Sequence, residues 1–391
     1  MSSATHRLTT AERRIRIGRR HLLAPSVRAA SVAEAADAVV ALHATDASTV
    51  FLSACARLTD PTTAEVERAL YEDVSLVRLL SMRNTLFAVS QELAPYVATS
   101  TGHAIAAKER KTLVKHLAED GNGLDERWLA DSEEAVLAAL AARGPSTGSQ
   151  LSDAVPALRA KITIFRGKKH ETVQGVSTRV LRVLAAEGRI RRDRPRGSWT
   201  SSQFRWAASD PWVGLPPTEA KAELARRWLL RYGPATEADL KWWTGWTLGD
   251  VRKALAAVGA EEVRLDGGAV GYVTPGDTEP EPPVEPWAAL LPGLDPSGMA
   301  WADRGFHLAE EHRAALFDYA GNIGPTVWWN GEIIGGWAQR ANGEIVWRLL
   351  TDAGHEASAA VEAEASRLSE WVGEARVTPR FRTPLERELS S

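Results

Sequence analysis

Two stretches of this chain share one grammar, and no other feature limits the fold so tightly. Arg143-Gly-Pro-Ser-Thr147 follows one helical run, and Tyr232-Gly-Pro-Ala-Thr236 follows another. Behind each comes a short second helix, a third helix ending at Gly188 or Gly259, and an alternating tail that reads as a β-hairpin. Three helices and a hairpin are the outline of a winged helix. A duplicated winged helix on a basic body predicts a nucleic-acid partner. The fold class expected is α+β, with tandem winged-helix units (helix-turn-helix plus β-hairpin) and a small β domain at the C-terminal end.

At 391 residues the chain exceeds one ordinary core, so several domains are expected. Residues 1–120 read as a first, more divergent winged-helix-like domain. Ser31-Val-Ala-Glu34 and Thr62-Thr-Ala-Glu65 are capping boxes there, and residues 75–89 read as two strands around an Arg83-Asn84 turn. Residues 121–210 hold the second unit, with a basic insertion near 156–175 and a wing tipped by Pro195-Arg-Gly197. Residues 211–275 hold the third. Residues 276–391, behind an acidic, Pro-rich linker at 275–286, read as short strands between tight turns with one packed helix.

The formal charge of −3 conceals an asymmetry. Residues 276–391 carry nine Arg, no Lys and 19 acidic side chains, whereas residues 1–275 carry 38 basic and 31 acidic ones. Between 158 and 205 there are thirteen Lys or Arg against three acids, which is where a polyanion is expected to dock. Residues 10–21 read as a second basic element, a helix with Arg13, Arg14, Arg16, Arg19 and Arg20.

Cys55 is the single cysteine, so disulfides and thiolate metal sites are not expected. The nine histidines show no metal-binding spacing, and no phosphate-cradling Gly-x-x-x-x-Gly-Lys or Gly-x-Ser-x-Gly elbow occurs. Hence no metal and no cofactor are expected. No run is long enough to cross a bilayer, and Met1 to Arg7 lack the apolar stretch of a secretory signal. A monomer in the reducing cytoplasm, associated with the nucleoid and not with membrane, is the expectation.

His43-Ala-Thr45-Asp46 is a polar cluster between two apolar helical runs. Asp46 suits the N-cap of the helix that starts at Ala47, and His43 suits the close of the helix before it. If the segment is extended, residues 43 and 45 project to the same side, where an imidazole and a hydroxyl can hold and polarise one water.

Seven segments carry a resemblance that spans nearly the full length. They are His21-Leu-Leu, Leu42-His-Ala-Thr-Asp46, Ser75-Leu-Val-Arg78, Met82-Arg-Asn-Thr-Leu86, Trp242-Trp-Thr-Gly245, Ala320-Gly-Asn-Ile-Gly-Pro-Thr-Val-Trp-Trp329 and Pro379-Arg-Phe-Arg-Thr-Pro-Leu-Glu-Arg387. In these the chain resembles the bacterial winged-helix DNA glycosylases of the AlkZ-like and YcaQ-like superfamily. The resemblance implies winged helices in a C shape around duplex DNA and excision of N7-alkylated or crosslinked purines. Characterised branches carry Gln-Φ-Gln or Gln-Φ-Asp, Φ being aliphatic, where this chain has His43-Ala44-Thr45.

The expected activity is therefore that of a monofunctional DNA glycosylase, a hydrolase of N-glycosyl bonds in double-stranded DNA carrying alkylated purines. It would serve repair or genotoxin self-resistance, with His43, Thr45 and Asp46 as the catalytic group. No lysine sits beside the motif, so no lyase step is expected. The alternative is a non-catalytic regulator or lesion sensor built on the same DNA-binding units. DNA contacts are expected from Arg78 and Arg83 on the first hairpin, and from Lys168 and Lys169 in the insertion. Others are expected from Arg179 and Arg182 on the outward face of the next helix, from Arg189, Arg191, Arg192, Arg194 and Arg196 in the wing, and from Arg380 and Arg382 near the end.

Overall fold

The computed structural model describes residues 6–120 and 122–391, so the first five residues of the Met1-to-Arg7 stretch lie outside the described part. The molecule is mixed α+β, with five small sheets among the described residues. What the repeated Gly-Pro signature does is visible in the second and third units. After Gly144-Pro145 the chain makes a one-residue bridge: Ser146 and Trp206 exchange N–H···O=C bonds of 2.9 and 2.7 Å. After Gly233-Pro234, Ala235 does the same with Tyr272 at 3.1 and 2.8 Å. The very next residue, Thr147 or Thr236, caps the following helix through a reciprocal box with Gln150 or Asp239. The signature thus ties the middle helix to the last strand of the hairpin.

Around this tie the second unit has helices Glu126–Arg143, Gly148–Ala154 and Ser177–Ala186 and the hairpin Ile190–Asp193/Arg205–Ala208. Its insertion is a second strand pair, Lys161–Ile164 with Thr172–Gly175. The third unit has helices Pro217–Tyr232, Glu237–Thr244 and Leu248–Val258 and the hairpin Glu261–Leu265/Val270–Val273.

The first unit repeats the order with a longer join. Its first helix, Val32–Asp37, is opened by Ser31 and ends well before the His43 expected to close it. Residues 38–41 turn, and Leu42–His43 form a short strand that pairs with Ala88 and Phe87. Helices Ala47–Cys55 and Thr63–Tyr71 follow, then strands Leu76–Ser81 and Thr85–Ser90. The sheet order is Leu42–His43, Thr85–Ser90, Leu76–Ser81.

The C-terminal region is a four-stranded antiparallel sheet in chain order: Ala288–Leu291, Thr326–Trp329, Glu332–Gln339 and Ile345–Leu349. Helix Gly354–Val372 and the last helix, Pro384–Ser390, pack against it. One continuous apolar core joins this sheet to the first and third units, including Phe51, Trp228, Leu291 and Trp328. The second unit keeps its own core around Leu129, Val136, Val180 and Leu184. It touches the main core through Trp199, which lies against Phe51 and Trp371, and the candidate site lies between the two cores.

Candidate active site

In the second and third units the bridge residue is followed at once by the helix cap. In the first unit two residues, Ala44 and Thr45, separate the bridging His43 from the capping Asp46. That longer join turns the backbone outward. His43 and Thr45 both line a cleft of about 400 Å³ between the first hairpin, the Ser177–Ala186 helix, the Ile190–Asp193/Arg205–Ala208 hairpin and the 380–381 segment. An adjoining cavity of about 540 Å³ shares Thr45 with it and extends past Asp46 and Tyr71.

His43 is only 5% exposed. Its ring meets the edge of Phe87 at 5.1 Å, and the Thr45 N–H lies 3.5 Å from its Nδ1. Burial, with a smaller push from the Arg83 charge, lowers its pKa from 6.5 to about 3, so the imidazole is neutral near pH 7. If Nδ1 accepts that N–H, Nε2 carries the proton. A pKa of about 3 is far below the roughly 6.5 of a free imidazole, the range that would suit a general base at pH 7. A group titrating near 3 holds a water far better than it takes a proton from one.

Asp46 is engaged on both oxygens. Oδ1 accepts the Ser48 N–H at 3.1 Å and its hydroxyl at 2.8 Å, capping the helix. Oδ2 accepts the backbone N–H of Arg380 at 2.9 Å. The carboxylate expected to assist chemistry instead fastens the C-terminal segment beside the motif. Two of the sequence signatures meet here: a side chain on Gly324 would collide with Thr383, so the 320–329 loop lies directly on the 379–387 segment.

Among the described residues five guanidiniums line the main cleft, from Arg78, Arg182, Arg191, Arg192 and Arg380, and no carboxylate does. Their environments differ. Arg182 bonds Glu109 and Asn84, each at 3.0 Å, and Arg191 lies 3.6 Å from Asp193. Arg78 donates to the Tyr71 hydroxyl at 2.9 Å, leaving Nε and Nη2 without a partner. Arg192 sits 4.1 Å over the Phe204 ring, its pKa lowered to about 10 by burial and by neighbouring Arg78, Arg380 and Arg182. Arg380 has no carboxylate partner among the described residues, its guanidinium lying 5.7 Å from the Phe381 ring. Crowded like charges without acids are held at a cost in desolvation and repulsion, which an incoming polyanion relieves.

Other expected DNA contacts are engaged elsewhere. Arg83 occupies a left-handed turn position (φ 55°) and stacks 3.8 Å from the Trp242 ring of the third unit, instead of projecting as a free tip. Arg189 is paired with the buried Glu133 at 2.8 Å. Arg194 is paired with Glu67 and Glu72, and Arg382 with Glu386 at 2.7 Å. Arg179 donates to Gln174 and contacts His116 Nδ1 at 2.8 Å. Lys168, Lys169 and Arg196 are exposed, away from the cleft lining. Tyr71, Phe204, Asn322 and Phe381 escaped sequence reasoning. Asn322 and Phe381 sit inside signatures that had been quoted, which was the available signal.

Among the described residues no helix is long and apolar enough to cross a membrane, and no cluster of three His, Cys, Asp or Glu is arranged to hold a metal.

A basic cleft beside a lengthened join is suited to hold a polyanion such as DNA. Residues 36–371 match the family described as AlkZ-like, DNA glycosylase AlkZ-like, and the chain belongs to that family. Membership supports DNA glycosylase activity, a hydrolase reaction, with DNA as partner. Among solved structures, the Streptomyces sahachiroi DNA glycosylase AlkZ aligns with a TM-score of 0.69 at 22% identity, over 95% of this chain and 98% of that one. At that identity the likeness speaks for the fold. No curated protein matches the sequence.

Proposed function

We propose that the chain is a monofunctional glycosylase that hydrolyses the N-glycosidic bond of N7-alkylated purines, bulky or crosslinked adducts included, in duplex DNA. In this reading its three helical units are winged helices, followed by a C-terminal β domain as a fourth unit, and it works as a cytoplasmic monomer. The observation that carries the proposal is the position of His43 and Thr45 together on the wall of a cleft with five arginines and no carboxylate.

An N7-alkylguanine is already cationic, so the C1′–N9 bond breaks with its electron pair going to the purine and needs no strong acid. The site's task is to hold a water against C1′ as the oxocarbenium ion develops. Neutral His43 and the Thr45 hydroxyl are suited to that task. Once the water oxygen bonds C1′ it becomes strongly acidic and sheds its proton to solvent, so a base with a pKa of about 3 is no obstacle. With Asp46 engaged in capping, the negative charge facing the oxocarbenium is that of the DNA phosphates, which Arg78, Arg192 and Arg380 would hold beside it.

The test is incubation of the purified protein with duplexes bearing a panel of N7-guanine adducts, followed by alkaline cleavage of abasic sites. Strand breaks at the adduct are expected, without breaks before alkali. Tight adduct binding with no base released would favour the regulator or lesion sensor.

A further inference from the structure

The Ala320-Gly-Asn-Ile segment has no part in the chemistry above, yet it is built with care. Phe317 and Ile323 form a bridge that closes a tight loop, with the Asp318 N–H donating to the Asn322 carbonyl at 3.0 Å. Inside it, the Asp318 carboxylate accepts the N–H groups of Ala320 and Asn322 and the Asn322 side-chain amide, each at 2.9 Å. Those bonds hold the carboxyl below its usual pKa. Gly321 supplies the positive φ (82°) that the turn needs.

The whole arrangement presents one aromatic ring to solvent: Tyr319 has a relative exposure of 104%. The loop is also not remote. Asn322 lines the main cleft, while Tyr319 stands over a second trench with Arg380, Phe381 and Arg387, so Arg380 and Phe381 belong to both.

We infer that Tyr319 is a stacking wedge: the ring enters the duplex beside the lesion and fills the gap left when the damaged nucleotide turns into the cleft. The closed loop fixes where on the rim the ring is offered, and any base gives it a π-face to stack on. Arg380 and Arg387 supply the charge that brings a phosphate backbone to this rim. The inference rests on the glycosylase reading, because the gap exists only if a nucleotide is taken out of the stack.

The test compares wild type, Tyr319→Ala and Tyr319→Phe on an intact duplex and on one carrying a tetrahydrofuran abasic analogue beside 2-aminopurine. Tyr319→Ala should bind the abasic duplex about 10-fold more weakly. It should leave intact-duplex binding within about 2-fold and lose the 2-aminopurine quenching given by wild type. Tyr319→Phe should behave as wild type. Equal binding and quenching by wild type and Tyr319→Ala overturns the wedge. A Tyr319→Phe defect as large as that of Tyr319→Ala overturns it too, by showing that the hydroxyl carries the contact. A wild type that binds neither duplex sinks the glycosylase reading along with it.

Discussion

Two arginine-rich parts of this molecule look alike in sequence and behave oppositely in space. The helix Thr10–Arg20 is dense in arginine, and four of its five guanidiniums are answered by acids. Arg16 and Arg20 bond Asp277 at 2.9 and 2.6 Å, Arg19 and Arg20 reach Glu281, and Arg14 meets Glu332 at 2.7 Å. Its remaining arginine, Arg13, covers the Phe306 ring at 3.5 Å. The acidic linker at 275–286 is thus a clasp that fastens this helix to the rest. In the cleft, Arg78, Arg192 and Arg380 have aromatic rings or a hydroxyl beside them in place of carboxylates. A basic stretch marks a polyanion site only where acids are missing from three-dimensional reach, and composition alone cannot register that.

The sharpest way to break the comparison is to remove one member on each side. Asp277→Ala leaves Arg16, itself 1% exposed, with backbone carbonyls but no carboxylate bonded to it, and takes one of two acids from Arg20. It should cost about 3 kcal/mol in urea unfolding. Excision per folded molecule should be unchanged. Arg192→Ala should do the reverse, leaving the unfolding midpoint unmoved or raised, since a desolvated and repelled charge is removed. It should flatten the log–log salt dependence of DNA binding by about 0.9. If Asp277→Ala alters the salt slope, or Arg192→Ala unfolds the protein, the two regions are not of different kinds.

His43→Ala should lower excision about 100-fold, the scale of losing a group that positions a reactant. Its pH behaviour separates positioning from base catalysis. With a folded pKa of about 3, the imidazole stays neutral down to about pH 4, so excision should show no inflection near 6.5. An inflection there would restore the base. Stability should respond differently. The unfolded chain gains protons on His21 and His43 below pH 6.5, while the folded one, with both near 3, does not. Stability is therefore full above 6.5 and is lost as pH falls towards 3, by roughly 2 kcal/mol per histidine at pH 5. His43→Ala should shrink that acid loss by one histidine's share.

Arg83→Ala is a smaller test of the same distinction. Because its guanidinium lies on Trp242 across a unit boundary, the expected loss is about 1 kcal/mol of stability. DNA affinity should hold within about 2-fold, and the pKa of His43 should rise from about 3 as a nearby positive charge disappears. A clear loss of affinity with unchanged stability would return Arg83 to the DNA face.

How far the sequence could be read follows from the distances involved. The helix caps and hairpin turns act within ten residues, so helix starts such as Thr147 and Thr236 were legible. His43 and Thr45 were legible because an extended join makes alternation meaningful. The end of the preceding helix was placed too late: helix Val32–Asp37 stops early, and the pairing of His43 with Phe87 that replaces it lies far along the chain. The partners of Arg189 and Arg194 were illegible for the same reason. Arg189 meets Glu133 from 56 residues away and Arg194 meets Glu72 from 122 away, pairings that no local pattern encodes. Asp46 had two readings, and both of its oxygens turned out to be bonded within the fold.

The smallest effect expected is at the insertion, and it asks whether a cation outside the cleft counts at all. Lys168 and Lys169 sit in the loop joining Lys161–Ile164 to Thr172–Gly175, both exposed and neither among the side chains lining the cleft. Gly167, with φ 72°, lets the chain turn there. An exposed lysine holds no fixed geometry, so it can neutralise a phosphate without positioning one. Replacing both by Ala should flatten the salt slope by at most about 0.9 per residue and shift stability by no more than about 0.5 kcal/mol. Excision at saturating protein should stay at the wild-type rate, because nothing at the cleft wall has moved. A double variant that binds normally but excises slowly would mean that the insertion closes over the bound lesion. The boundary between matched and unmatched arginines would then have been drawn too tightly around Thr45.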